Sequence, residues 1–277
     1  MSEFIAALPM YDWPESGAET DAEWARLRDA FRVAGGDAPE RLVRSNADLP
    51  SVPGGLLGAD GEVIMPDPAS LPPHEFDFRA VWLHPQLLFA QTCWGPMEQG
   101  LSRHVQVIGQ PSYDGFEGGQ GELYSSAILM RRSEGQAHAS PAAGGRAAIP
   151  LDLLRNRCFA FNSSDSMSGI IAITRDLEAM GENLGIFSER LETKGHRDSI
   201  VAVAEGRADV CAIDCRTWAM AQRFERAARD VQVIGWTKRR KGLPYITAAG
   251  VSNDLLARLR AALASVDQLA TSLASSG

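Results

Sequence analysis

The chain has 277 residues, 45% hydrophobic and 22% charged, enough for one large or two medium domains with cores of their own and unlike a disordered or fibrous protein. A formal net charge of -8 argues against a nucleic-acid partner, because holding a polyphosphate takes a basic face that releases counterions. Four cysteines, at 93, 158, 211 and 215, have neither the paired CxxC spacing of a zinc site nor the density of a disulfide framework, and Cys211 and Cys215 read as buried free thiols.

The amino terminus, MSEFIAALPMYD, has no positive n-region and no long apolar h-region, so it reads as a first strand, Phe4 to Met10, and shows no export signal as written. No apolar run is long enough to enter a membrane as a span. Thr20-Asp-Ala-Glu23 has the pattern of a capping box, Trp24, Leu27 and Phe31 share one helical face, and Gly35-Gly36 stops the helix. The Pro- and Gly-rich region from Ser45 to Pro73 predicts surface loop carrying a short strand or hairpin, with Gly61 at a turn. Leu87 to Thr92, Val105 to Ile108 and Leu123 to Met130 read as strands. The glycine-rich loop 115–121 fits no phosphate-cradling fingerprint, and Ser133 to Gly145 suggests an exposed connection.

The second half alternates again. Its strands are Cys158 to Phe161, Leu191 to Lys194, Ala208 to Ile213, Val231 to Trp236 and Tyr245 to Ala249; its helices are Met167 to Met180, Ser199 to Ala204 closed by Gly206, Thr217 to Ala228, and a terminal one with Leu255, Leu259 and Leu263 on one face. Lys238-Arg-Arg-Lys241 reads as a solvated turn. Strands alternating with helices predict an α/β protein with parallel sheets and crossover helices.

The stretch FNSSDSMSGIIA, residues 161–172, lies where an apolar strand stops and a helical pattern begins. Such junctions face the crevice at the carboxyl ends of strands, and the free N-H groups of the first helical turn attract anions. One serine suffices as a cap, so Asn162, Ser164, Ser166 and Ser168 are candidate ligand groups. Similar polar punctuation follows other strands: Tyr11, Thr92 with Trp94, His196, and Asp214. There is no GxSxG elbow, no HExxH and no metal-ligand spacing, so no catalytic residue, metal or cofactor is expected; varied polar groups at many strand ends suit holding a ligand better than converting it.

The segments IAALPMYDWPE, LLFAQTCWGP, VQVIGQPSY, YSSAILMRR, FAFNSSDSMSG, GHRDSIVAVAEGRADVCAIDCRTW and LPYITAAG resemble, in order and spacing, the phosphate/phosphonate-type substrate-binding proteins of ABC transporters. The resemblance covers nearly the whole chain. It implies a type II periplasmic-binding-protein-like fold: two α/β lobes, each a mainly parallel sheet flanked by helices, joined by two crossing strands, with the ligand clamped between them. Lobe 1 would hold 1–125 and 240–277, lobe 2 126–239, with Leu123 to Met130 and the segment from Trp236 to Tyr245 as crossings. The implied ligand is a small anionic or zwitterionic metabolite, the implied partner an ABC permease.

By the same resemblance, Ser164, Ser166 and Ser168 match the hydroxyl-rich helix start that holds the anionic group. His196 matches the cleft histidine, Asp214 the strand-end acid that faces an amine, Tyr11 and Tyr124 the aromatic walls, and Thr92 with Trp94 the lining of the first lobe. Asp165 departs from the pattern. Facing inward, within ~4 Å of a doubly charged oxyanion, it repels the ligand by roughly 1–4 kcal/mol; facing away, it caps the helix. The resemblance implies a periplasmic location, whereas a chain complete as written would be cytoplasmic. In that case the alternative is an enzyme on the same scaffold, with His196, Asp214 and Asp165 as acid or base.

Overall fold

The structure, a computed structural model, describes residues 3–58, 60–133 and 137–274, with 267–274 as helical backbone alone. Residues 134–136 of the expected exposed connection therefore lie outside the described residues. The chain divides into unit 1, Met1–Pro111 with Leu243–Gly277, and unit 2, Ser112–Gly242. The divisions fall at 111/112 and 242/243 rather than at 125/126 and 239/240, because the strand at 123–124 pairs with both 119–120 and 240–241 inside unit 2.

In chain order the strands are β1 (Ile5–Ala7), β2 (Leu56–Leu57), β3 (Val63–Met65), β4 (Leu87–Gln91), β5 (Val105–Gly109), β6 (Gly119–Gln120), β7 (Leu123–Tyr124), β8 (Ser126–Arg131), β9 (Cys158–Phe161), β10 (Glu189–Glu192), β11 (Val210–Asp214), β12 (Val231–Trp236), β13 (Arg240–Lys241) and β14 (Tyr245–Ala248). The helices are α1 (Gly17–Val33), α2 (Phe78–Trp82), α3 (Trp94–Glu98), α4 (Leu151–Leu154), α5 (Ala172–Ala179), α6 (His196–Ala204), α7 (Cys215–Phe224) and α8 (Asn253–Ala274).

Unit 1 is built on the sheet β1-β4-β14-β5, in which β14 runs against the other three. Trp24, Leu27 and Phe31 of α1 pack with Leu256, Leu259 and Leu263 of α8 on one face, against Leu88 and Phe89. On the other face Val81 and Trp82 of α2 join Leu56 and Leu49 over Leu87, Ala90 and Ile246. The expected capping box at Thr20 is not there. A turn of 3-10 helix from Pro14 runs straight into α1, so Thr20 already lies inside the helix, where its hydroxyl bonds the Ser16 carbonyl. Gly35, at φ 80°, ends the helix as expected, and the hairpin β2-β3 turns with Gly61 at φ 81°.

Unit 2 carries the sheet β10-β9-β11-β8-β12, with β8 antiparallel to its neighbours and the other four running one way. Crossovers through α5, α6 and α7 explain the common direction of β9 to β12. β8 is not reached by such a crossover and is free of that constraint. Ile128, Leu154, Phe159, Ile173, Leu177 and Val210 form a core with no exposure, each side chain contributing roughly 1.5–3 kcal/mol by burial.

The basic run is no solvated turn. Lys238 and Lys241 are exposed, but the two arginines turn inward. Arg239 bonds the Gly118 carbonyl and Gln120, while Arg240, 17% exposed, pairs with the buried Asp176 of α5. Asp176 Oδ2 also accepts the Lys238 amide at 2.8 Å.

Candidate functional site

Unit 2 collects polar side chains at one edge of its sheet, where β9, β10, β11 and β12 end and β8 begins. The register sets Asp214 directly opposite Ser126, so their side chains share a face about 5 Å apart at Cβ. Thr237, just past β12, accepts the Ser126 amide at 2.8 Å. Asp214 Oδ1 accepts the Thr217 amide at 2.9 Å and so caps α7.

The loop after β9 enters its helix through a π turn, Met167–Ile171, before α5 continues in α geometry. The Ser166 carbonyl accepts from both Ile170 and Ile171, the latter a five-residue spacing that widens the turn. Ser166, 5% exposed, is the N-cap, its Oγ accepting the Gly169 amide at 3.0 Å. An added Cβ at Gly169 would stand 2.0 Å from Asn162 Oδ1, so any larger residue here displaces that side chain. That Asn162 oxygen is buried and has no hydrogen-bond partner among the described residues. Ser164 is exposed, and Ser163 donates to Asp165 at 2.6 Å, so Asp165 is held within the loop and leaves the cap to Ser166.

His196 opens α6. Its position is fixed by Thr193, whose hydroxyl bonds the Phe161 carbonyl and Ser199, tying the ends of β9 and β10 to the first turn of α6. Lys194, at φ 68°, makes the left-handed bend between strand and helix. His196 Nε2 lies 2.9 Å from Ser168 Oγ and 3.8 Å from Asp214 Oδ2. Burial pulls the imidazole below its ordinary pKa, with the Asp214 carboxylate working the other way, so the ring is neutral near pH 7. The carboxylate beside Nε2 favours the proton on that nitrogen. Nε2 then donates to Ser168 Oγ, and the Ser168 hydroxyl keeps its own proton to give to an acceptor. His196 Nδ1, buried, has no hydrogen-bond partner among the described residues.

This geometry is not that of a hydrolytic triad, in which the carboxylate holds Nδ1 while the nucleophile faces Nε2. Here both face Nε2. Cys211 and Cys215 are free and buried, and burial pushes both thiols well above the usual range.

The remaining expected residues are placed as follows. Tyr124, 2% exposed on β7, packs against Tyr113 with ring centroids 5.4 Å apart and planes tilted by 32°. In unit 1, Tyr11 follows β1 and is buried, Thr92 follows β4 with no exposure, and Trp94, half-buried, begins α3. Ser126, Thr237, Gln91 and Gln110 were not anticipated; the only signal for them is a polar residue at the end or start of an apolar strand. The groove of about 410 Å³ that His84 and residues 52–58 line lies at the opposite edge of the unit 1 sheet.

Two α/β units, each built on a mixed sheet flanked by helices with polar groups set at the strand ends, have the build of a solute-binding protein of the periplasmic type. A family model described as ABC transporter, phosphonate, periplasmic substrate-binding protein matches residues 101–275, and the chain belongs to that family. No curated protein matches the sequence. Among solved structures, the chain is similar to PhnD1 from Prochlorococcus marinus (MIT 9301) in complex with methylphosphonate, at 13% identity and TM-score 0.61, covering 94% of this chain and 83% of that one. XAC2383 from Xanthomonas citri, bound to chloride ion, aligns at 15% and 0.56 over 95% and 83%. PA3383 from Pseudomonas aeruginosa, a binding protein component of an ABC phosphonate transporter, aligns at 13% and 0.54 over 93% and 72%. At these identities the likeness is one of fold. Among the described residues no helix is long and apolar enough to cross a membrane.

Proposed function

We propose that this protein captures a small organic anion of the phosphonate class in the periplasm and delivers it to an ABC permease without converting it. The oxyanion is held by the Ser168 hydroxyl and the N-H groups that open the π turn, with Asn162, His196 and Asp214 beside it. Tyr124, in the same unit, contacts the rest of the solute; within unit 1, Tyr11, Thr92 and Trp94 stay candidate ligand groups. Ser164 and Asp165 stand at the margin of the site, Ser164 because it is exposed and Asp165 because Ser163 engages it.

One observation carries this reading. Ser168 Oγ lies 2.9 Å from His196 Nε2 at a helix start, and with the proton on Nε2, the tautomer that Asp214 favours, the buried hydroxyl keeps its own proton for an anion. A buried hydroxyl spent on the imidazole as donor would offer an oxyanion nothing. Family membership supports binding over catalysis, and the shared use of Nε2 supports it independently. Titration calorimetry with methylphosphonate, inorganic phosphate, a sulfonate and a carboxylate tests the proposal. Saturable binding of a phosphonate is the expected result, with a matching rise in Tm. Absence of both for every anion, or chemical change of a bound compound seen by mass spectrometry, overturns it.

A further inference from the structure

The hairpin β2-β3 of unit 1 is a sheet of its own and turns large apolar side chains to solvent. Leu57 is 55% exposed and Val63 60%, and the register pairs them directly across the hairpin. Residues so paired share a face, and the two make one projecting apolar surface. A lone exposed leucine is ordinary, whereas a joined apolar patch marks a place of contact. Beside it lies the groove of about 410 Å³, which Leu57 itself borders. Val52 and Leu56 line that groove from the hairpin side, Leu83 and Pro85 from the sheet side. Val63 adjoins it as well, since an added Cβ at the groove residue Gly55 would stand 2.9 Å from Val63 Cγ1. Projection and groove are contiguous.

Charge divides across the same surface. The hairpin carries Asp60 and Glu62, both exposed, and the Glu62 carboxylate lies over Gly58 at the rim of the groove. From the sheet side the groove is bordered by Arg103, which ends a turn of 3-10 helix, and by His104. None of these four side chains has a hydrogen bond or ion pair among the described residues. A two-fold pair needs one surface that supplies both halves of the contact. Here the apolar projection of one copy has a groove to enter on the other, and the same rotation carries each acidic hairpin to the other copy's arginine. We propose that unit 1 docks on a second copy of this chain through the β2-β3 hairpin and the groove beside it, forming a two-fold dimer. The contact is independent of which solute the protein holds.

Sedimentation equilibrium of the full chain, from about 2 to about 500 µM, tests it at about 0.15 M salt, where the like net charges of the two copies are screened beyond about 8 Å. The expected result is monomer at the low end and dimer at the high end, with a dissociation constant of about 10–100 µM, as small interfaces have. The double variant Leu57→Ser, Val63→Ser is expected to weaken association about tenfold or more. Glu62→Arg and Arg103→Glu are each expected to weaken it about threefold or more, and the two reversals in one chain to restore it. If the serine variant has a lowered Tm when dilute, the hairpin itself is loosened and the charge exchange decides. A monomer at every concentration overturns the proposal and leaves the face to a different protein. A dimer indifferent to both sets of substitutions places the contact elsewhere and equally overturns it.

Discussion

Ser168 Oγ and His196 Nε2, 2.9 Å apart, join the helix start after β9 to the helix start after β10. Two junctions far apart in sequence thus share one hydrogen bond, and the orientation of each depends on the other. The neighbouring Ser166 does a structural job as well, since its Oγ caps the helix by accepting the Gly169 amide.

Replacing each serine by alanine should separate these roles. Ser168→Ala is expected to weaken phosphonate binding by about 1–3 kcal/mol while changing Tm little. Ser166→Ala is expected to cost about 0.5–2 kcal/mol of stability through the lost cap. Calorimetry and urea unfolding on both variants check the split. Equal effects of the two substitutions on affinity would return both serines to one anion-holding set.

Gly169 supplies a second prediction. A methyl group there meets Asn162 Oδ1 at 2.0 Å and Ser166 Oγ at 3.0 Å, the two side chains that shape the loop. Gly169→Ala is therefore expected to displace Asn162, destabilising the protein by about 1–3 kcal/mol as overpacking does, and to weaken ligand binding as well. The measurements are urea unfolding and titration; wild-type values in both would mean that the loop yields freely.

Much of this was legible in advance, and the misses share a cause. Strands such as Val231–Trp236 and Cys158–Phe161 announce themselves as short apolar runs, and their polar ends mark the edge where ligand groups gather. The π turn was not legible, because five-residue hydrogen bonding leaves the apolar spacing of MSGIIA compatible with an ordinary helix. The inward arginines were missed for a related reason. A charge run reads as solvated unless its counter-ion is known, and Asp176 lies more than sixty positions away on α5. His196 and Asp214 were visible as single polar residues, but their meeting at one nitrogen is a fact of crossovers alone.

The Asp176–Arg240 pair yields a third prediction. Asp176 is 4% exposed and Arg240 17%, and Asp176 additionally accepts the Lys238 amide. Removing either partner strands the other charge in a dry site. Asp176→Leu or Arg240→Leu alone should cost about 3 kcal/mol or more, and the double substitution should recover a good part of it. Urea unfolding of the four proteins completes the cycle. Additive losses would show that the two groups do not depend on each other.

The fourth prediction concerns pH. Burial lowers the His196 pKa in the folded protein, against the partial opposition of Asp214, while in the unfolded chain the imidazole titrates near about 6.5. Between those two values the unfolded state binds more protons, so stability rises with pH. The contribution is complete above about 6.5 and is lost as the pH falls below that value toward the folded pKa. The adjacent Arg197 is paired with Glu225, which leaves Asp214 as the carboxylate answering a protonated ring. His196→Gln retains an N-H group able to reach Ser168 but does not titrate. Subtracting its urea stability from that of the wild type between pH 5 and 8 removes the shared carboxylates and isolates the histidine. A difference that grows more favourable to the wild type on acidification would mean that Asp214 outweighs burial, and that a charged His196 faces the anion.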